Sequence, residues 1–367
     1  MTTVRTALVS LVALLLTATG AAAEIRIAVA GPMSGSLATL GAQIRDGAAA
    51  AVAAINAAGG LLGEEVVLDI ADDGCSEDRA DDIANQLAGA GVVMVVGHLC
   101  SAAAIAASAV YAAEGIIQIA PGAPDPRFTD ERPGDGIFRL FGREDEQGPT
   151  AAAFLASLPQ EAAIAVIDDL SAYGVRLADS VVEALEAANR PAALVQSYSI
   201  ANPDFAGLVE GLQEAGIGAV FVGGTAEDIA ALRLVMADQD YSPILVGGDV
   251  LASQTYSVAA GEAADGILFT YPPDPRLDPA ASTAIAAITA TGGDSAGFAL
   301  YAYAAVEVWA AAVAEAGTTN ATPVASAIAG GPFDTALGAI SFTGGNVSYP
   351  GWVIYAWDSG EITVFSQ

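Results

Sequence analysis

The sequence predicts an α/β protein made of two doubly wound parallel-sheet lobes. Three observations predict it. Apolar, β-rich runs alternate with helical patterns along almost the whole chain, the order that builds parallel sheets flanked by helices. Strand-like runs such as residues 92–96 are apolar at every position, as strands buried on both faces are. At 367 residues the chain exceeds the size at which one hydrophobic core keeps growing, so two domains are expected.

Residues 1–23 read as an export leader: Arg5 precedes an apolar run over 7–17, and Ala21 and Ala23 set the cleavage after Ala23. That run is shorter than the roughly 20 residues that span a bilayer. No later stretch of that length is uniformly apolar and free of Gly, Pro and charge, so a soluble mature chain is expected. Strand 25–30 ends at Gly31-Pro32-Met33-Ser34-Gly35, and a helix over 41–58 places Ala48, Val52 and Ile55 on one face before Gly59-Gly60 stops it. Strand 66–70 delivers Asp72, Asp73 and Cys75 to its carboxyl end. Helix 76–90 carries Asp78, Asp81 and Asp82 in its early turns, where the helix dipole favours negative charge. Strand 92–96 ends at Gly97-His98-Leu99-Cys100-Ser101, helix 102–114 follows, and strand 116–120 ends at Pro121-Gly122-Ala123-Pro124.

A second unit restarts after the Pro-, Asp- and Arg-rich segment 125–136 and a short strand over 138–141. Helix 148–158, strand 162–167, helix 175–189, strand 194–198, helix 204–215, strand 219–222, helix 226–237 and strand 244–246 follow. Their strand ends present Asp168-Asp169 with Tyr173, Gly223-Gly224-Thr225 and Gly247-Gly248-Asp249. Residues 266–270 read as a crossing strand and 272–275 as a rigid link. A helix over 297–316 carries Phe298, Tyr301, Ala305 and Trp309 near one stripe, and 338–365 reads as short antiparallel strands turning at Gly344-Gly345-Asn346. Lobe 1 is therefore expected over 24–142 plus 272–337, lobe 2 over 143–271 plus 338–367, joined by a hinge of three crossings.

The 12 cations, all arginines, face 43 carboxylates, for a net charge of -31. Such a surface repels phosphate backbones, which argues against a nucleic-acid partner. Two cysteines in an exported chain point to one disulfide, Cys75–Cys100, with a metal pair beside His98 or two buried thiols as the rivals. His98 is the only histidine, and zinc wants three or four nitrogen or sulfur ligands, so no metal is expected.

No catalytic set assembles. The single histidine lies two residues from Cys100, and there is no P-loop, no G-x-G-x-x-G between strand and helix and no H-E-x-x-H. The pairs Asp72/Asp73 and Asp168/Asp169 have acid–base chemistry open to them, but at strand ends carboxylates more often cap helices. Neither an enzyme nor a cofactor is expected. What recurs is a polar or aromatic residue at each strand's carboxyl end: Ser34, Ser101, the loop at Gly122, Tyr173, Thr225 and Asp249. Ligand sites of open parallel sheets lie outside those ends.

The motifs Gly31-Pro32-Met33-Ser34-Gly35, Ala54-Ile55-Asn56-Ala57-Ala58-Gly59-Gly60, Asp72-Asp73-Gly74-Cys75, Gly97-His98-Leu99-Cys100-Ser101 and Asp145-Glu146-Gln147-Gly148-Pro149 resemble those of the leucine/isoleucine/valine-binding proteins. These are type I periplasmic solute-binding proteins of branched-chain amino acid ABC transporters, and the resemblance runs over about 24–360. It implies a monomeric periplasmic receptor that closes like a flytrap on a small polar solute and delivers it to an inner-membrane permease.

The resemblance also implies a site. Ser101 would donate its hydroxyl to the ligand carboxylate and Gly122 would hold the ammonium through its carbonyl, with Ala123 and Pro124 beside it. Tyr173 would close from the second lobe, Thr225 would stand after the second-lobe Gly-Gly, Asp249 would pair with the ammonium, and Phe298 would touch the side chain. Three positions depart from the family: Pro124 replaces a threonine, Thr225 an aromatic residue and Leu40 a tyrosine. These losses leave an amide, a urea-like molecule or an aromatic acid open as ligand, with Arg127 or Arg143 as candidates to receive an anion. A ligand-sensing receptor subunit shares the same features, and a secreted amidohydrolase is the least expected use of the cleft.

Overall fold

In the computed structural model, which describes residues 24–35, 37–199 and 203–366, the alternation resolves into two seven-stranded sheets. The export leader and its cut after Ala23 lie outside the described residues. The first run comprises β1 (Glu24–Gly31), α1 (Ala38–Ala57), β2 (Glu65–Asp72), α2 (Glu77–Gly89), β3 (Met94–Gly97), α3 (Ser101–Glu114), β4 (Ile117–Ala120), α4 (Arg127–Asp130) and β5 (Ile137–Arg139). The second comprises α5 (Gln147–Ser157), β6 (Ala163–Asp168), α6 (Ala172–Ala187), β7 (Leu194–Ser197), α7 (Phe205–Glu214), β8 (Ile217–Gly223), α8 (Ala226–Asp238), β9 (Ile244–Gly247), α9 (Gln254–Ala260) and β10 (Leu268–Tyr271). Then come α10 (Ser282–Ala290), α11 (Ala299–Ala316), α12 (Ala321–Gly330) and the short strands β11 (Phe333–Thr335), β12 (Gly338–Ile340), β13 (Phe342–Thr343), β14 (Asn346–Val347), β15 (Val353–Asp358) and β16 (Glu361–Val364).

The sheet orders are β13-β14-β5-β4-β3-β1-β2 and β16-β15-β10-β9-β8-β6-β7. The central pairs of both sheets are parallel, and antiparallel strands sit only at one edge of each, so the interior strands carry the continuous apolar runs expected of them. The chain crosses between the sheets after β5, returns after β10 and crosses again between β14 and β15.

Helix α11 explains the return. Its 18 residues are apolar enough in length and composition to span a membrane, yet they form the first lobe's core, with Leu300, Val306 and Trp309 buried against Ile27, Val29 and Met94. Helix α1 lies so close that a Cβ on Gly47 would stand 2.0 Å from the Ala299 carbonyl oxygen, which only glycine allows.

The third crossing corrects the expected boundary. Residues 338–367 are not all with the second sheet: β13 and β14 join the first, where Asn346 pairs with Arg139 of β5. Short alternating strands announce a hairpin but not which sheet edge receives it. Here the Arg139 N–H donates to the Gly345 carbonyl at 2.8 Å, and the buried Arg139 guanidinium and the Thr129 hydroxyl both donate to Asn346 Oδ1 at 2.9 Å. At the hinge, a Cβ on Gly142 would be 2.2 Å from Gly351 Cα, so two crossings touch backbone to backbone. Trp352 Nε1 straps them by donating to the Arg143 carbonyl at 2.7 Å.

Candidate functional site

The carboxyl ends of the second sheet deliver the polar half of a cleft. Asp249 follows β9 after Gly248, and its Oδ1 accepts from the Tyr173 hydroxyl at 2.7 Å and from Gln147 Nε2 at 2.9 Å. Gln147 opens α5 and also donates to Thr270 Oγ1 at 3.1 Å, which holds its amide in place. Tyr173 is in the first turn of α6. That helix starts at Ala172, earlier than its periodicity suggests, because Ser171 Oγ accepts from the Gly174 N–H at 2.9 Å. A Cβ on Gly248 would lie 2.1 Å from the Tyr173 oxygen, so the bond to Asp249 requires glycine there. Burial, then the neighbouring Asp249 carboxylate, raise the Tyr173 phenol well above its ordinary pKa, so it stays a donor.

These groups open on a cavity of about 520 Å³ whose lining includes Tyr173, Gln147, Asp249 and Tyr271 on one side, Pro124 and Phe141 from the first-sheet loops, and Trp352 from the last crossing. Oδ1 of Asp249 thus accepts two hydrogen bonds, Oδ2 has no hydrogen-bond partner among the described residues, and Phe141, Tyr271 and Trp352 add aromatic rings to the lining.

Of the residues singled out from sequence, the structure brings Pro124, Tyr173 and Asp249 to this one cavity. Gly122 and Ala123 are buried beneath its rim. A Cβ on Gly122 would stand 2.6 Å from the Leu99 carbonyl oxygen, and the Ala123 carbonyl accepts from Arg139 at 2.8 Å. Ser101 sits at the start of α3, its Oγ accepting from the Asp125 N–H at 3.1 Å. Phe298 packs on Phe141, ring centres 5.3 Å apart, and so backs the wall. Thr225 caps α8 and lines a neighbouring cavity of about 490 Å³ that shares Tyr173 with the first. Ser34 is an exposed donor to Asp72, and Leu40 packs on the first-lobe core. Arg127 and Arg143 are already engaged, the first with Asp125 and the second with Asp130 and Asp145.

Sequence reasoning missed Gln147, Tyr271, Trp352 and Arg176 as lining residues. The first three sit at crossings, where no strand-end pattern marks them, although Gln147 lies inside one of the motifs quoted above.

Behind the first-sheet loops the two cysteines are bonded, Cα atoms 5.4 Å apart. His98, fully buried, places Nδ1 2.6 Å from Asp73 Oδ2 and Nε2 3.0 Å from the Tyr111 hydroxyl, so both ring nitrogens are occupied. Asp73 and Asp169 each accept the backbone N–H two residues on, at Cys75 and Ser171, which makes these carboxylates clasps of their loops. Among the described residues no group of three or more His, Cys, Asp or Glu side chains is arranged to hold a metal.

A family model described as periplasmic binding protein matches residues 24–360. The chain belongs to the periplasmic binding protein family. This periplasmic binding protein is 36% identical over 343 residues to Leu/Ile/Val-binding protein homolog 1 of Brucella abortus (strain 2308), covering 92% of this chain and 91% of that one. It is 34% identical over 344 residues to a protein of Pseudomonas aeruginosa named amino acid binding protein, covering 93% and 92%. Among solved structures, an ABC transporter substrate-binding protein from Desulfitobacterium hafniense in complex with Leu superposes with a TM-score of 0.72 at 24% identity, covering 94% of this chain and all of that one, a likeness of fold. A solute-binding role follows from the family.

Proposed function

We propose that the chain is the periplasmic receptor of an ABC transporter and captures an amino acid or amino-acid-like solute between its lobes. The observation that carries this reading is the oriented Asp249 carboxylate in the cavity lining, held on one oxygen by Tyr173 and Gln147 and, among the described residues, without a hydrogen-bond partner on the other. An ammonium there gains a charge-assisted hydrogen bond in a site that closure dries. The names of the curated relatives support the amino-acid class. Export with cleavage after Ala23, delivery to an inner-membrane permease and a monomeric state belong to the same reading.

An aromatic acid is the second reading, favoured by the rings of Phe141, Tyr271 and Trp352 on the cavity wall. Thermal unfolding in the presence of amino acids, amides, ureas and aromatic acids separates the two. A ligand at a hundred times its dissociation constant adds about 2.7 kcal/mol of stability. A shift by amino acids supports the first reading, a shift by aromatic acids alone the second, and a shift by neither overturns both.

A further inference from the structure

The cleft handles the two charges of an amino acid unequally. On the first-lobe side its lining is Pro124 and Pro272, which have no N–H, and Phe141, which is apolar, while the Ala123 N–H donates to the Leu99 carbonyl at 2.9 Å. The acidic lining residues are Glu144, Asp145 and Asp249; Asp145 is paired with Arg143, which leaves Glu144 and Asp249 to repel a ligand carboxylate. One basic side chain lines the cavity: Arg176.

Arg176 is exposed and, among the described residues, is the one arginine with neither an ion pair nor a hydrogen bond. Every other described arginine is engaged with a carboxylate, a carbonyl or an amide oxygen. Its position is also regular: Tyr173, Arg176 and Ser180 succeed each other at three- and four-residue spacing on α6, and all three line the cavity. The face of α6 that brings the Tyr173 hydroxyl to Asp249 therefore brings an unpartnered guanidinium to the same space.

We infer that Arg176 is the anion receptor of this cleft, so that both charged handles for the solute lie on the second lobe, Asp249 for its ammonium and Arg176 for its carboxylate. This rests on the amino-acid reading above. The planar guanidinium offers paired N–H donors that match a carboxylate. The first lobe then supplies apolar closure over a ligand already held by its charges, and the ligand class is a zwitterion whose anionic end points toward α6.

Calorimetric titration of the full-length mature protein tests this with matched probes: leucine and its decarboxylated amine isoamylamine, phenylalanine and its amine phenethylamine. For whichever amino acid the wild type binds, Arg176→Gln is expected to weaken it by roughly tenfold or more and to leave the amine within about twofold, while Arg176→Lys restores part of the loss. Amino acid and amine affinities that fall together in Arg176→Gln, or do not change, overturn the inference and leave the Asp249 site standing. If the wild type binds neither, the comparison uses the amino acid that most raises its unfolding midpoint and that acid's decarboxylated amine, and a wild type that binds no amino acid overturns the underlying reading and the inference with it.

Discussion

The Tyr173 hydroxyl lies 2.7 Å from Asp249 Oδ1, and the two residues come from different strand ends of one sheet, after β6 and after β9. The bond turns a flexible carboxylate into an oriented one, which is what a receptor for a small cation requires. Replacing Tyr173 by Phe keeps the ring and removes that donor. A hydrogen bond to a charged group contributes ~1.5–3 kcal/mol to the fold, so Tyr173→Phe should lower the unfolding midpoint, and ligand affinity should fall roughly tenfold or more because Asp249 loses the bond that orients it. Unaltered affinity by calorimetry would remove Tyr173 from the account.

The hinge offers a second test. Gly142 and Gly351 meet backbone to backbone, and a Cβ on either would lie 2.2 or 2.6 Å from the other's Cα. No side chain can rotate away to make room, so Gly142→Ala or Gly351→Ala should destabilise the fold by ~1–3 kcal/mol. Ligand affinity should drop as well, because the crossings set how the lobes meet. Urea unfolding that matches the wild type for both variants would show that the crossings have slack.

Much of this architecture is written in the sequence, for a physical reason. A parallel strand buried on both faces is apolar throughout, so β1, β3 and β8 announce themselves, and the turn residues after them mark the ends where a ligand binds. Asp249 is legible on that ground alone. Gln147 and Trp352 are not, because they belong to crossings whose meeting depends on contacts such as Gly142–Gly351. Arg176 is hidden by a boundary: if α6 starts at Val175, Tyr173 is a loop residue and its shared face with Arg176 disappears. The attachment of β13 and β14 to the first sheet is likewise invisible to periodicity, because it rests on the Arg139 N–H donating to the Gly345 carbonyl and on the Arg139 guanidinium and Thr129 hydroxyl donating to Asn346 Oδ1.

The brace behind the first-lobe loops makes a third prediction. His98→Ala leaves the fully buried Asp73 Oδ2 without its ring partner, and a buried polar atom left unsatisfied costs ~1–3 kcal/mol. Removing the disulfide through Cys75→Ser with Cys100→Ser should cost ~3.5 kcal/mol on the chain-entropy account of a loop of 25 residues. Denaturant unfolding measures both, and near-wild-type midpoints would mean that the loops hold their shape unaided.

Stability should also carry a pH signature from Glu307 on α11. Burial raises its carboxyl from 4.5 to about 6, although the Ala336 N–H donating to Oε2 at 2.8 Å opposes the rise. The folded state therefore binds the proton more tightly than the unfolded chain. The stability this confers is full below about pH 4.5 and is lost as pH rises through about 6. Glu307→Gln keeps an acceptor for Ala336 and removes the buried charge, so it should stabilise the protein near neutral pH by up to ~2 kcal/mol and have little effect at pH near 4. Equal effects at both pH values would contradict this.

In the proposed site Asp249 receives the positive end of the solute, and titration of the bound amino acid into Asp249→Asn isolates that role. Asparagine keeps the volume and, through its carbonyl oxygen, the bonds from Tyr173 and Gln147, so the change isolates the charge. The account predicts that affinity falls by roughly a hundredfold with the fold intact. An Asp249→Asn protein that binds the amino acid as tightly as the wild type would contradict it.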